Sequence, residues 1–351
     1  MEVFNIPLYQ NEIREIAASL PRKDCSVLIS GATGMIVSCM IDCLLCANKE
    51  FGNHYRIIAL GRNEDKIRRR FSYAVDYVDF SIMVQDVTIP LIIKDDIDYI
   101  VHAASNADPV AYALYPVETL LTNIYGVNNM LSYCMEHKQT RLLVTSSFEV
   151  YGKKDGQDIY AENDSGEIDL NQVRSCYPES KRSAEILMRA YHKEYGVDCV
   201  IARLCSIYGP TMSIKDSKAH AQFIRNGLAH KDIILKSEGL QKRTYCYVMD
   251  AVSGILTVLF KGESGQAYNI ANEKSIASIA EVAETVSKIC GTKVVHDLPD
   301  DIEQQGFSRP QNCILENKKL AALGWNGRYT LEEGLSSALE ILKVANWECV
   351  K

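Results

Sequence analysis

A glycine-rich turn between a β-rich run and an apolar helical run constrains the fold of this chain more than any other feature. Residues 26–30 (SVLIS) have the character of a buried strand, and Gly31-Ala-Thr-Gly34 follows directly. The residues after the turn stay largely apolar to about Ala47 and predict a helix. Glycines at such a turn let backbone N–H groups approach an anion at the helix N-terminus. The turn therefore predicts a pyrophosphate site and a dinucleotide-binding domain.

Strands and helices alternate along the rest of the first half of the chain. Further strands are predicted near residues 56–60, 82–84, 99–102 and 141–145, and a helix near 116–136. This alternation implies right-handed crossovers and a parallel sheet. Beyond residue 210 the pattern is less regular, with helices near 219–228, 251–259, 279–290 and 331–342. We expect an α/β protein with a Rossmann-type doubly wound parallel sheet and a smaller, interleaved C-terminal substrate lobe. The predicted parts are an N-terminal helical extension (1–24), the dinucleotide-binding domain (25–205) and the mainly substrate-binding lobe (206–351).

Charge and cysteine content narrow the class of partner. The 38 basic and 45 acidic residues give a net charge of −7, which argues against a nucleic-acid or anionic-membrane surface. The apolar stretches fall short of the roughly 20 residues of a membrane helix. Twelve cysteines without a visible secretion signal indicate reduced thiols and a cytoplasmic location. The histidines and cysteines do not follow metal-site spacing, so no metal is expected.

The diphosphate of the dinucleotide is expected over the glycine turn. The candidate contacts there are Gly31, Thr33, Gly34, Met35 and Ile36. Val37 occupies the third position of the GxxGxxG spacing, and a β-branched residue there is expected to push the helix away from the strand.

Arg62 follows the second strand, where an acidic residue would bind the adenosine ribose. Its guanidinium could accept a 2′-phosphate in a bidentate manner, or it could be a solvated arginine that begins a basic helix. Asp86 and Val87, after the third strand, are candidates to flank the adenine. The expected cofactor is NAD or NADP, and Arg62 leans to NADP.

Three residues form a candidate catalytic group. Tyr177 and Lys181 are four residues apart, which places them on one helix face, and Pro178 suits the first turn of that helix. A nearby ammonium and a positive nicotinamide ring can lower the phenol pKa from about 10 toward neutrality, so that Tyr177 becomes a usable base. Ser147, at the end of a predicted strand, would hydrogen-bond the same substrate oxygen.

In combination these residues resemble the extended short-chain dehydrogenase/reductase superfamily, in its NAD-dependent nucleotide-sugar epimerase/dehydratase branch. The likeness covers residues 25–343. Besides the residues above, family-like positions are held by His102-Ala-Ala-Ser105, Asn123, 146–152 (SSFEVYG), 203–210 (RLCSIYGP), 243–250 (RTYCYVMD) and 323–325 (LGW).

The resemblance implies an enzyme that oxidises a sugar hydroxyl at C4 with a tightly held cofactor and acts on the 4-keto intermediate. It implies a nucleotide-diphosphate sugar bound between the lobes, and a homodimer formed through helices of the dinucleotide domain. It also adds cofactor contacts at Ala103, Ala104, Ser105, Asn123, Tyr177 and Lys181.

Glu149, two residues after Ser147, distinguishes among the reactions of such enzymes. UDP-glucuronate decarboxylases and 4,6-dehydratases resemble this chain in having glutamate there, whereas simple 4-epimerases usually lack an acid. Dehydratases also need an aspartate at the position of Phe148, to protonate the leaving hydroxyl. Loss of carbon dioxide from a β-keto acid demands less of a general acid. The sequence therefore favours a UDP-glucuronate decarboxylase-like reaction, with 4-epimerase and 4,6-dehydratase as alternatives.

The candidate substrate contacts are spread over the C-terminal lobe. Arg243 and Arg309 match positions near the diphosphate in the family, and Ser206 stands where many relatives have an asparagine. Gln222 is a further candidate.

Two other functions stay open at the level of sequence. An NADP-dependent carbonyl reductase would account for Arg62 and Phe148. A catalytically weak dinucleotide-sensing protein would account for Val37, Phe148 and Ser206, although the intact catalytic group counts against it.

Overall fold

The computed structural model describes residues 2–93, 95–297 and 312–347 of the 351-residue chain. The strands are β1 (Asp24–Ser30), β2 (His54–Gly61), β3 (Phe80–Val84), β4 (Tyr99–His102), β5 (Arg141–Ser147), β6 (Ile159–Tyr160), β7 (Cys199–Leu204), β8 (Ser206–Tyr208), β9 (Ile233–Leu235), β10 (Lys242–Tyr247), β11 (Ala267–Ile270), β12 (Ile276–Ser278), β13 (Val294–His296) and β14 (Ile314–Leu315). The helices are α1 (Pro7–Ser19), α2 (Met35–Phe51), α3 (Glu64–Arg70), α4 (Pro109–Leu114), α5 (Pro116–Glu136), α6 (Cys176–Tyr195), α7 (Ala219–Leu228), α8 (Val248–Lys261), α9 (Ile279–Cys290), α10 (Lys318–Ala321) and α11 (Leu331–Val344).

Seven of the strands form one sheet in the order β11-β7-β5-β4-β1-β2-β3. Every neighbouring pair in it is parallel. The chain fills one side of β1 with β2 and β3 and the other side with β4, β5 and β7, so the strand order reverses beside β1. Open parallel sheets bind ligands at the carboxyl ends of the strands next to such a reversal. The predicted doubly wound α/β fold is therefore confirmed.

The side chains on the two faces of β1 pack into two separate hydrophobic cores. Val27 and Ile29 belong to the core that includes α2 and α8, whereas Leu28 belongs to the core that includes α5 and α6. Successive strand residues point to opposite faces, so a strand with helices on both sides must be apolar throughout. All residues of β1 after Asp24 are buried.

The second half of the chain contributes to both parts of the fold. Strands β8, β10 and β12 form a separate three-stranded sheet. Strand β11 returns to the main sheet and pairs with β7. This crossing agrees with an interleaved lobe, while the predicted boundaries at residues 25, 205 and 206 stay a prediction.

Helix α1, in the N-terminal extension, forms hydrogen bonds with α2 in the first half of the chain and with β10 and α11 in the second half. Glu12 on α1 is buried and accepts hydrogen bonds from Tyr247 Oη at 2.7 Å and Ser337 Oγ at 2.5 Å. Tyr9, also on α1, donates to Asp42 of α2 at 2.5 Å. In the described part of the chain, no helix is both long enough and apolar enough to cross a bilayer.

Candidate active site

The glycine turn lies at the carboxyl end of β1, directly against the loop that follows β4. Gly31 has φ of 71°, in the left-handed region that favours glycine. A Cβ built on it would lie 3.0 Å from Ala104 Cα, so a larger residue would collide with that loop. Gly34 precedes α2, and no side chain caps the helix there. The first amides of α2 are therefore available to an anion.

Val37 is buried in the same core as β1. The expectation that this β-branched residue pushes α2 away from the strand stays a prediction.

His102 and Ser30 fix the β4 loop beside the glycine turn. The Ser30 hydroxyl accepts from the amides of Ala103 at 3.1 Å and Ala104 at 3.3 Å, and lies 2.8 Å from His102 Nδ1. Because its oxygen already accepts two N–H bonds, the Ser30 proton is directed to Nδ1 of a neutral imidazole. Burial accordingly lowers the pKa of His102 to about 3.

Two buried polar atoms at this end of the sheet lack partners among the described residues: Ser105 Oγ and Asn123 Oδ1. Asn123 uses its Nδ2 to donate to Ser180 Oγ at 2.8 Å, and Ser180 in turn donates to the Tyr177 carbonyl at 2.8 Å. Unpaired buried acceptors and donors are costly unless a ligand completes them. The glycine turn, the free amides of α2 and these two atoms fit a bound dinucleotide.

Arg62 lies at the carboxyl end of β2 among acidic groups. Its Nη1 is 3.3 Å from Glu118 Oε1 and 3.8 Å from Asp86 Oδ2. The sequence suggested either a phosphate-binding or a solvated arginine. Its side chain is 63% exposed and has two carboxylate partners, of which Glu118 was not foreseen, and both interpretations stay predictions.

Ser147, Tyr177 and Lys181 come together at the ends of β5 and α6. Ser147 and Tyr177 are both buried, and the Ser147 hydroxyl lies near enough to the Tyr177 phenol to act on its pKa. Lys181 Nζ lies 5.9 Å from the Tyr177 ring centroid and donates to the Thr145 carbonyl at 2.9 Å. Burial lowers the pKa of Lys181 to about 8. The three predicted residues therefore lie in one buried group.

The protein alone does not lower the pKa of Tyr177, so the lowering expected from an ammonium together with a positive nicotinamide ring stays a prediction. Burial and then the negative charge of Glu149 raise the pKa of this phenol, and the nearby Ser147 hydroxyl only partly opposes them. Lys181 is not among the groups that lower it. A further positive charge next to the phenol is needed for Tyr177 to act as a base near neutral pH.

The Glu149 carboxylate pairs with Arg174 near Tyr177. Phe148–Tyr151 forms a 3₁₀ turn after β5, and the Glu149 side chain is only 18% exposed. Arg174 Nη2 lies 3.4 Å from Glu149 Oε2 and donates to Tyr112 Oη at 3.3 Å. The Tyr112 ring stacks on Tyr177. Sequence reasoning missed Arg174, whose position three residues before Tyr177 was a usable signal, and Tyr112, for which there was none.

Phe148 and Arg243 face each other across the same site. The Arg243 guanidinium carbon lies 5.7 Å from the Phe148 ring centroid, and Nη2 donates to Gln241 at 3.1 Å. Arg243 Nε is buried with no partner in the described part of the chain. An arginine with unused donors next to the 3₁₀ turn Phe148–Tyr151 fits a contact to an anionic substrate group.

A buried ion pair between α6 and β7 bonds to the chain on either side of Ser147. Glu185, four residues after Lys181 on α6, pairs with Arg203 Nη2 at 2.7 Å and accepts from Ser146 Oγ at 2.6 Å. Arg203 Nη1 also donates to Tyr151 Oη at 3.0 Å. These bonds fasten β5, α6 and β7 on both sides of Ser147.

The remaining predicted substrate residues are less informative. Ser206 is buried in β8, opposite Tyr245 of β10. Gln222 is exposed on α7 and donates to the Ser217 carbonyl at 2.6 Å. Arg309 lies outside the described residues. Within those residues, no group of three or more His, Cys, Asp and Glu side chains is arranged to hold a metal ion.

Known proteins share both the sequence and the fold. The model of the NAD-dependent epimerase/dehydratase family matches residues 27–271. UDP-glucuronic acid decarboxylase 5 of Arabidopsis thaliana is 34% identical over 315 residues, which cover 88% of this chain and 86% of that protein.

Two solved structures share the fold. The dTDP-glucose 4,6-dehydratase of Bacillus anthracis, in complex with NAD, superposes with a TM-score of 0.77 at 21% identity, over 93% of this chain and 98% of that one. The UDP-glucose 4-epimerase of Thermotoga maritima, with UDP-glucose, gives a TM-score of 0.74 at 20% identity, over 92% and 99%.

Proposed function

The chain belongs to the NAD-dependent epimerase/dehydratase family, and we propose that it decarboxylates UDP-glucuronate through a 4-keto intermediate. The resemblance inferred from the sequence is thereby confirmed. The protein is an NAD-dependent enzyme that acts on nucleotide sugars. The choice of uronic acid and the residue roles below are our proposal.

The observation that carries this choice is the ion pair of Glu149 with Arg174, whose guanidinium also donates to the hydroxyl of Tyr112, on the ring that stacks on Tyr177. Glu149 is close enough for its charge to raise the pKa of Tyr177, and its carboxylate is paired with Arg174 at 3.4 Å. Phe148 offers no proton donor and packs against Arg243. An acid–base group beside the sugar, without a second acid for a leaving hydroxyl, suits loss of carbon dioxide better than loss of water.

The first step is removal of the C4 hydroxyl proton. We assign this proton to Tyr177 Oη, with Ser147 Oγ hydrogen-bonded to the same substrate oxygen. NAD, when bound, supplies the hydride acceptor at C4 and later the hydride donor, together with the positive ring that the Tyr177 phenol needs. The glycine turn would hold its diphosphate, and Ser105 and Asn123 would complete its polar contacts.

The second step breaks the bond between C5 and C6. With C4 a ketone, the C6 carboxylate is that of a β-keto acid, so its electron pair moves into the C4 carbonyl as carbon dioxide leaves. The protonated Tyr177 phenol and Ser147 then donate hydrogen bonds to the enolate oxygen. Glu149, partly open to solvent, takes up a proton from water and passes it to C5. Return of the hydride to C4 and of the Tyr177 proton to the C4 oxygen completes the product.

The alternative reactions fit these residues less well. A 4-epimerase needs no acid–base group beside C5, so Glu149 and its arginine partner would have no role. A 4,6-dehydratase needs a proton donor for the C6 hydroxyl, and Phe148 cannot provide one. A reductase of free carbonyl compounds or a sensor protein would not need Glu149 or Arg243.

We propose NAD as the working cofactor and keep NADP as the alternative. In the sequence, Arg62 favoured NADP. In the structure, the carboxylates of Glu118 and Asp86 lie next to its guanidinium. One positive and two negative side chains leave a net negative charge, which disfavours a 2′-phosphate. A ribose with free hydroxyls fits this local charge better.

A homodimer through α5 and α6 is also proposed. Val117, Leu121 and Tyr125 are exposed and lie four residues apart along α5, and Ile186 is exposed on the adjacent α6. Apolar side chains on one exposed helix face indicate a protein contact. Analytical ultracentrifugation should give twice the chain mass.

The eleven cysteines of the described residues are free, which supports the proposed cytoplasmic location.

The experiment that tests the function offers the purified protein three substrates separately: UDP-glucuronate, UDP-glucose and dTDP-glucose. We expect a UDP-pentose from UDP-glucuronate by mass spectrometry, and no new product from the other two. Interconversion of UDP-glucose and UDP-galactose would instead favour 4-epimerisation, and a 4-keto-6-deoxy product from dTDP-glucose would favour dehydration.

A further inference from the structure

Arg174 lies at the catalytic site with much of its side chain open to solvent. It belongs to the 3₁₀ turn Val173–Ser175 that directly precedes α6, three residues before Tyr177. Its side chain is 62% exposed, although its Nη2 contacts both Glu149 and Tyr112. A guanidinium carries five N–H donors, so these contacts leave donors for a further acceptor.

One buried aromatic side chain, that of Tyr112, lies against this guanidinium. Its central carbon lies 5.7 Å from the Tyr112 ring centroid, and Tyr112 is itself buried against Tyr177. The positive charge of Arg174 is therefore held at a defined place relative to the catalytic phenol. A freely moving surface arginine would not have this relationship.

The local charges explain why a uronic acid needs such a residue. Glu149 places a carboxylate beside the sugar, and the C6 carboxylate of a uronic acid would be repelled by it. Arg174 balances Glu149, and Arg243, which lies against the neighbouring Phe148, adds a second positive group. A site with this charge balance accepts an anionic sugar more readily than a site with Glu149 alone.

We propose that Arg174 selects carboxylate-bearing sugars by pairing its guanidinium with the C6 carboxylate of the substrate while it remains beside Glu149. This inference rests on the proposed decarboxylase function. The planar fork of arginine can hold one carboxylate with two N–H groups, which lysine cannot do. A neutral hydroxymethyl group at C6 would gain little from the same contact. Arg174 is therefore a specificity-determining residue that touches the substrate.

The test compares an anionic and a neutral ligand in the NAD-loaded enzyme. KM is measured for UDP-glucuronate, and the competitive inhibition constant is measured for UDP-glucose in the same assay. Arg174→Gln should raise KM for UDP-glucuronate by roughly 10- to 100-fold, the effect of losing a hydrogen-bonded charge pair, and leave the UDP-glucose constant within about twofold. Arg174→Lys should fall between wild type and Arg174→Gln.

Arg14→Gln is the matched control. Arg14 on α1 is also 62% exposed and pairs with a carboxylate, that of Glu50 at 2.6 Å, so its loss changes the net charge equally. This variant should keep both constants. Cofactor content and the melting temperature of each variant show whether that variant is folded. If Arg174→Gln does not fold, Arg174→Lys still tests the inference.

The outcomes separate the inference from the function on which it rests. Equal weakening of both ligands by Arg174→Gln, or a lower kcat with unchanged selectivity, would overturn the inference, because Arg174 would then act only through Glu149 or the fold. Release of carbon dioxide by wild type together with either result would leave the proposed function intact. A wild-type enzyme that releases no carbon dioxide from UDP-glucuronate would overturn the function itself.

Discussion

The ring of Tyr112 lies nearly parallel to the ring of Tyr177, with centroids 5.1 Å apart and planes 17° apart. Tyr112 comes from α4 and Tyr177 from the first turn of α6, so the contact joins two helices at the catalytic site. Stacking fixes the plane of the catalytic phenol before any substrate binds. The hydroxyl of Tyr177 can then be removed without loss of the ring packing.

Tyr177→Phe should therefore keep substrate and cofactor binding but slow the redox step. The ring still stacks on Tyr112, whereas the proton acceptor for the C4 hydroxyl is gone. We expect a 10²–10⁴-fold slower single-turnover reduction of the cofactor, the range for general acid–base catalysis. Stopped-flow absorbance of the reduced cofactor measures it. A variant with near-wild-type rates would remove Tyr177 from the mechanism.

Glu149→Gln should separate oxidation at C4 from product formation. The amide keeps the size of the side chain but cannot pass a proton to C5, so the cofactor should be reduced and turnover should fall roughly 10²-fold or more. Product and reduced cofactor are followed in the same sample by mass spectrometry and absorbance. Glu179→Gln, at a carboxylate paired with Arg182 on α6, is the control and should turn over normally. Normal product formation by Glu149→Gln would contradict the assigned role.

NAD should bind more tightly than NADP, by about tenfold or more, because Glu118 and Asp86 face the ribose end. Glu118→Gln should narrow this ratio, since it releases the Arg62 guanidinium. Glu64→Gln, at a surface ion pair on α3, should not change it. Titration calorimetry with cofactor-free protein gives the constants. Equal affinities, or tighter NADP, would restore the preference suggested by Arg62 alone.

Acid should destabilise the protein through His102. Its pKa is lowered to about 3 in the folded state, whereas an unfolded histidine titrates near 6.5. Between these values the unfolded chain binds the extra proton, so stability is lost as the pH falls from 6.5. At pH 5 the loss is about 2 kcal/mol relative to pH 7.

Urea unfolding at pH 7 and pH 5 measures this difference. His102→Gln should lose less stability than wild type over this interval, by about 2 kcal/mol. His54→Gln, at an exposed position, should behave as wild type. The same pH dependence in His102→Gln as in wild type would contradict a neutral, buried His102.

Local signals in the sequence explain why the bounds of several helices and strands could be predicted. The predicted strand 99–102 and the helices 116–136, 219–228 and 279–290 match the observed bounds. Helix α9 shows why: Ser278 and Glu281 form a capping box at its start, and Gly291 ends it with φ of 68°. Such caps and apolar periodicity act within a few residues, so one sequence is enough to locate them.

The electrostatics of the site could not be obtained in the same way. The partners of Glu149 and Arg62 are Arg174 and Glu118, which lie 25 and 56 residues away along the chain. The raised pKa of Tyr177 depends on burial and on the charge of Glu149, neither of which a four-residue spacing reveals. Motifs thus indicated the candidate reacting groups, whereas the protonation of these groups depends on contacts that only the fold creates.

Release of the C6 carbon tests the central proposal most directly. UDP-glucuronate labelled with ¹³C at C6 is incubated with the NAD-loaded enzyme, and labelled carbon dioxide and unlabelled UDP-pentose are quantified by mass spectrometry. The proposed mechanism predicts equal amounts of the two products with wild type and strongly reduced amounts with Tyr177→Phe. Retention of the label in a UDP-hexuronate product, with no labelled carbon dioxide, would contradict it.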